Sequence, residues 1–137
     1  MRQIVVTEAD RRRLELLLAS EFAKSIGPRV HLDDLSKELE RAQIVAPDEV
    51  PRDVVTMNSQ VVVHDVDTEE VETYTLVYPA DADIASGRLS ILAPIGTAIL
   101  GQHVDDVVRW RVPGGSRRLK IQAMLYQPET ALAAHGG

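Results

Sequence analysis

The 137-residue chain contains no cysteine. That removes disulfides, thiolate metal sites and cysteine nucleophiles together, and gives no sign of an oxidising compartment. Aromatic residues are scarce, with one Trp, one Phe and three Tyr, so a core has to be aliphatic. No segment approaches the ~20 apolar residues needed to span a bilayer. The opening stretch from Met1 to Arg13 lacks the apolar run and small-residue cleavage site of a signal peptide; a cytoplasmic protein with no membrane partner is the expectation. Gly114-Gly115-Ser116 lacks the strand–loop–helix context and Lys-Ser/Thr pair of a P-loop, and no serine sits in a nucleophile elbow. His31, His64, His103 and His135 share no ligand spacing. No catalytic residue, metal site or cofactor is therefore expected. Positive charge is also short: the formal net charge is −6 and the pI near 5.1. Such a chain repels phosphate backbones on average, so stable direct DNA binding is not expected.

Apolar residues make up 45% of the chain, enough for one ordinary core. Thr7 followed by Glu8, Ala9 and Asp10 reads as a helix start, and Leu14, Leu17, Leu18 and Phe22 form its apolar stripe. Gly27-Pro28 stops it. Leu32, Leu35, Leu39 and Ala42 then repeat at three, four and three residues, a narrow seam of coiled-coil type. Two such helices joined by a short turn pack antiparallel. A helical hairpin is expected over residues 7 to 44, within an N-terminal unit covering 1–46. Pro47 and Pro51 punctuate a linker, and residues 47–59 are read as that linker and a first strand.

Beyond it the period changes to two. Val-rich Gln60 to Val66, alternating Val71 to Tyr78, short Leu89 to Leu92, and the alternating runs around Val108 to Val112 and Leu119 to Leu125 read as half-buried strands. Pro113-Gly114-Gly115 makes the last two a hairpin. Ile95 to Leu100, with Pro94 at its start and Gly101 as its stop, reads as one short helix. The expected class is α+β, with a hairpin and an antiparallel sheet domain over 60–128. The small-residue segment 129–137 is expected to be a flexible tail.

Three surface features are candidates for function. Asp33 and Asp34 lie at the expected hairpin tip, where adjacent carboxylates either complement a helix N-terminus or hold Mg²⁺ with oxygens from a partner. Arg11-Arg12-Arg13 and the acidic run Asp65, Asp67, Glu69, Glu70 and Glu72 are solvated charge or partner surfaces. The Pro94-Ile95-Gly96 corner is either core or a rigid, low-entropy docking knob.

The order of parts, together with Leu89-Ser90-Ile91-Leu92-Ala93-Pro94-Ile95-Gly96-Thr97-Ala98-Ile99-Leu100-Gly101, resembles the Gre family of bacterial transcript cleavage factors. Asp53 to Ser59, Glu38 to Gln43, Thr75 to Ala80 and Tyr126 to Glu129 resemble its Rnk branch more closely, over nearly the whole chain. The Rnk branch is named for nucleoside diphosphate kinase regulation.

The resemblance implies an FKBP-like C-terminal domain, an N-terminal coiled-coil hairpin, and binding to bacterial RNA polymerase at the secondary channel. It places Ala93, Pro94, Ile95, Gly96 and Ala98 in the contact with a coiled coil at the channel rim. It also implies acids at the hairpin tip that help hold a catalytic Mg²⁺. Two departures matter. Ala93 stands where Gre factors usually carry Ser. The hairpin helices, roughly 18 and 12 residues or ~27 and ~18 Å long, are much shorter than theirs, so a docked tip falls short of the active site. The expected function is polymerase-binding regulation without cleavage. Transcript cleavage, prolyl isomerisation and direct kinase control are the alternatives.

Overall fold

A computed structural model describes residues 3–20, 30–112 and 114–135. Strand β1 (Val5–Thr7) runs directly into helix α1 (Glu8–Leu18). Thr7 is extended and its hydroxyl accepts the Asp10 N–H at 3.2 Å, so the expected cap is in place. Helix α2 (Val30–Glu40) is followed at once by strand β2 (Gln43–Val45). The Gly27-Pro28 stop and Phe22 lie outside the described residues.

Strands β1 and β2 pair in parallel, Val5 against Gln43 and Thr7 against Val45, a pairing that nothing local in the sequence announces. Residues 43–45, read as the end of the helical hairpin unit, are therefore strand. The linker proper makes one 3₁₀ turn, Pro47–Glu49, and an isolated bridge from Val54 to His103.

The sheet domain has β3 (Gln60–Asp65), β4 (Val71–Val77), β5 (Arg88–Ser90), β6 (Val107–Val112) and β7 (Gly115–Tyr126). Their order is β5-β4-β3-β7-β6, antiparallel except for the parallel β4–β5 edge pair. Val112 pairs with Gly115, so β6 and β7 form the expected hairpin. Helix α3 (Pro94–Ile99) lies between β5 and β6.

One aliphatic core joins the parts. Leu14 of α1 and Leu32, Leu35 and Leu39 of α2 are buried together with Val61, Val63, Leu76, Ile91, Ile99, Leu119 and Ile121. The leucine seam thus packs into the sheet domain as well as bringing α1 and α2 into contact. Each fully buried aliphatic side chain contributes about 1.5–3 kcal/mol of transfer free energy.

The segment expected to be a flexible tail, 129–137, is helical as far as His135, in helix α4 (Pro128–His135); residues 136–137 lie outside the described residues. Its first turn is held by polar contacts to residues far earlier in the chain. Gln127 donates to the carbonyls of Pro51 and Val54 at 2.8 and 2.7 Å, and the Thr56 hydroxyl donates to buried Glu129 at 2.6 Å. No helix among the described residues is long and apolar enough to cross a membrane.

Candidate functional site: the corner before helix α3

The corner begins where β5 ends. The Leu92 N–H donates to Ser90 Oγ at 3.0 Å and the Ala93 N–H to the Ser90 carbonyl at 3.0 Å, which turns the chain out of the sheet. Ala93 is the extended residue before the helix and has no side chain with which to cap it. Pro94 occupies the first helical position, where its missing N–H costs nothing. The Thr97 hydroxyl donates to the Pro94 carbonyl at 2.9 Å and the Thr97 N–H to the Ala93 carbonyl at 3.0 Å, closing the first turn.

The five residues singled out from the sequence divide by exposure. Pro94 is exposed, Ala93, Ile95 and Ala98 are half-buried, and Gly96 is buried. Gly96 is therefore no part of an exposed knob. A Cβ there would overlap the Ser90 carbonyl oxygen and stand 3.1 Å from Ile91 Cα. Glycine lets α3 lie directly on the backbone that precedes it, and this close seat fixes where Pro94 and Ile95 project. At the far end Gly101 has φ +78 and donates its N–H to the Val55 carbonyl at 2.8 Å; its missing Cβ leaves room for the Ile4 side chain.

Ile95 opens onto a dimple of about 70 Å³ lined also by Val63, Asp65, Glu70, Glu72, Tyr74, Arg117 and Leu119. Its floor is aliphatic and its rim is charged. Asp65 is buried and committed to the β3–β4 turn, accepting the N–H groups of Asp67 and Thr68 at 2.9 and 3.1 Å and facing Arg117 at 3.5 Å. Asp67 pairs with Arg118, whose guanidinium and backbone N–H hold its carboxyl below the ordinary aspartate range. Glu70 and Glu72 are exposed and carry no ion pair among the described residues. The acidic run is thus half structural and half open. Burial, with Glu72 and Glu70 nearby, pushes the Tyr74 hydroxyl pKa up. Glu72 and Tyr74 share a strand face, which is legible in the sequence. Their meeting with Ile95 is not, because it depends on how α3 crosses the sheet.

The other candidates sit apart. Asp33 and Asp34 are exposed in the first turn of α2, flanked by the buried Leu32 and Leu35. Adjacent helical residues diverge by ~100°, so the two carboxylates do not converge. Among the described residues no group of three or more His, Asp and Glu side chains is placed to hold a metal. Arg11 pairs with Glu8 and Glu15, Arg12 reaches Glu8, and Arg13 lies 3.7 Å over the Tyr78 ring. The Tyr78 hydroxyl donates to Asp10 at 3.0 Å. Burial raises the Asp10 pKa, against the pull of the Tyr78 hydrogen bond, and nearby Glu129 adds to the rise. This polar seam joining α1 to the end of β4 had no sequence signal. A second, open cleft of about 580 Å³ is lined by Gln3, Gln43, Asp53, His103 and Asp106 among others, with Asp53 Oδ2 3.0 Å from His103 Nδ1.

Comparison with known proteins agrees with this layout. The model for the C-terminal part of transcription elongation factors GreA and GreB matches residues 50–126, and the model for the Rnk N-terminus matches residues 2–45. The regulator of nucleoside diphosphate kinase of Escherichia coli strain K12 is 40% identical over 129 residues, 93% of either chain. The transcription elongation factor GreA of Chelativorans sp. strain BNC1 is 35% identical over 108 residues, 79% of this chain and 68% of that one. A solved structure described as a prokaryotic GreA/GreB elongation factor, from Nitrosomonas europaea, has a TM-score of 0.75 at 39% identity, covering 92% of this chain and all of that one. An Rnk-type N-terminal segment joined to a GreA/GreB-type C-terminal domain, matched along nearly its whole length, makes this chain a member of the Gre/Rnk family of transcription factors.

Proposed function

We propose that the chain is a non-catalytic regulator that docks on bacterial RNA polymerase at the rim of the secondary channel, with the α3 corner as its anchor and the α1–α2 hairpin as a short plug. Ala93, Pro94, Ile95 and Ala98 make the contact, and Gly96 seats the helix that presents them. In this reading the hairpin is a coiled coil and the sheet domain is FKBP-like. The observation that carries the proposal is the exposed Pro94 held at the first position of a helix whose seat leaves no room for a Cβ. Such a corner binds without first losing conformational freedom.

Absence of cleavage is supported by the position of the acids. Asp33 and Asp34 lie within one turn of leucines buried in the common core, so they stay close to the body of the protein. A carboxylate outside metal-ligand distance cannot share a Mg²⁺. Isomerase activity is disfavoured because the tyrosines do not converge: Tyr78 is committed to Asp10 and Arg13, while Tyr126 is half exposed. No nucleotide-binding motif supports a direct action on a kinase, so an effect on nucleoside diphosphate kinase is read as an indirect consequence.

A native-gel titration with core RNA polymerase tests the reading. The unmodified chain should bind, and Pro94→Ala should weaken it. Lack of binding, or a Pro94→Ala variant indistinguishable from the unmodified chain, sinks the anchor assignment. Backtracked complexes should keep their RNA uncut; shortening that disappears in the Asp33→Ala, Asp34→Ala variant would instead establish cleavage.

A further inference from the structure

The dimple beside Ile95 says what kind of partner element belongs there. At about 70 Å³ the dimple has the scale of a single side chain. Val63 and Leu119 are buried beneath it and Ile95 forms one wall, so the cavity is apolar where an inserted group would end. The rim differs. It carries Asp65, Glu70, Glu72 and Arg117, a formal excess of two negative charges. Asp65 and Arg117 already pair at 3.5 Å. The excess therefore sits on Glu70 and Glu72, both exposed and without an ion pair among the described residues. Tyr74, half-buried, lines the dimple with them.

We propose that this dimple receives a single aliphatic side chain from a cationic segment of the docking partner, with lysine or arginine residues flanking that side chain and meeting Glu70 and Glu72. The proposal rests on the docking reading above and adds to it the chemistry of the partner surface. Pro94 sets the height of the corner, the dimple takes one knob, and the two glutamates select positive over negative flanks. Rim charges of this kind act on encounter and register more than on the final affinity, and they are screened over a Debye length of ~10 Å at 0.1 M salt. An acidic segment with the same apolar residue is repelled by both carboxylates, and a neutral one gains nothing from them.

The test uses the full chain with core RNA polymerase in a fluorescence-anisotropy titration at low and at high salt. Glu70 and Glu72 are exposed, so a Glu70→Lys, Glu72→Lys variant keeps its core, and an unchanged melting temperature verifies that. The charge-reversed variant should bind about tenfold more weakly at low salt. Its salt dependence should also reverse, binding strengthening as salt rises where the unmodified chain's should weaken. A Glu70→Gln, Glu72→Gln variant should fall between the two. If charge reversal leaves low-salt binding within about twofold while Pro94→Ala weakens it, the cationic-partner inference is wrong and the docking reading stands. If reversal strengthens binding, the partner surface is acidic and the inference is again overturned. If the unmodified chain does not bind at all, the docking reading itself fails and takes the inference with it.

Discussion

Replacing Gly96 with alanine separates two ways of reading a helix. Propensity alone favours the change, because alanine in a helix interior is better than glycine by about 1 kcal/mol. The structure reverses the sign. The new Cβ would overlap the Ser90 carbonyl oxygen and press on Ile91 Cα at 3.1 Å and Ser90 C at 3.2 Å. All three are backbone atoms, so no side-chain rotation relieves the contact. Either α3 lifts off the β5 turn or the turn itself moves. Ser90 is hydrogen-bonded in that turn, and Ile91 is fully buried. Overpacking against a well-filled core costs typically 1–3 kcal/mol, occasionally more, and backbone overlap belongs at the upper end. After the propensity gain is subtracted, a net loss of about 2 kcal/mol remains. For a domain of this size that is a fall of ~8 °C in melting temperature, read by differential scanning calorimetry with circular dichroism as a check on fold. Polymerase binding, measured well below the transition, should weaken too, because Pro94 and Ile95 ride on the displaced helix. A Gly96→Ala variant that melts within about 1 °C of the unmodified chain, or higher, would refute the close-seat argument.

Other consequences can be checked with the same tools. Leu14→Ala should cost about 2–5 kcal/mol in urea and should leave a single transition, because Leu14 shares its core with the sheet; a separate early transition for the helices would contradict that. Glu129→Ala should destabilise by about 1–3 kcal/mol, because the buried Thr56–Ser59 hydroxyl pair, 2.8 Å apart, loses the acceptor that takes its outgoing proton, while Glu129→Gln, which still offers an acceptor, should lose much less. Asp10 is raised mainly by burial. A carboxyl whose folded pKa lies above its unfolded value destabilises the fold when ionised, and that cost disappears as pH falls below both values. Asp10→Asn should therefore be the more stable form near neutrality, with the gap closing as pH drops from above the ordinary aspartate range down to it, and gone below it. A gap that widens on acidification would show that the Tyr78 hydrogen bond dominates instead.

What was legible in the sequence was local. Thr7 announces its cap, Pro94 and Gly101 bracket α3, and the period of two from Val71 to Val77 marks β4. Each signal lies within a few residues of the structure it dictates. The leucine spacing of three and four was legible as a helix face, but that spacing is the same whether the face meets a second helix, a sheet or both. Strand β2 was hidden because three residues are too short for a period and their partner is Val5 to Thr7, far back in the chain. Helix α4 was hidden for a related reason. Its small residues carry little pattern, and its anchors are the Thr56 hydroxyl and the Pro51 and Val54 carbonyls. For the site, Pro94 and Ile95 were visible as a motif. The inward role of Gly96, and the Glu70, Glu72 and Tyr74 rim beside Ile95, depended on distances between strands that only the folded chain sets.

The seat of Ile4 against Gly101 has a bearing on how the molecule is made. Gly101, far along the chain, is the left-handed residue whose lack of a Cβ gives Ile4 its place. Val5 to Thr7 similarly wait for Gln43 to Val45. The segment from Ile4 to Thr7 is thus locked only once the chain has been made as far as Gly101. At ~5–20 residues per second that is several seconds in which the first strand and the leucine face of α1 lack their final partners. The interval is a window for chaperone capture or for pairing with another nascent chain.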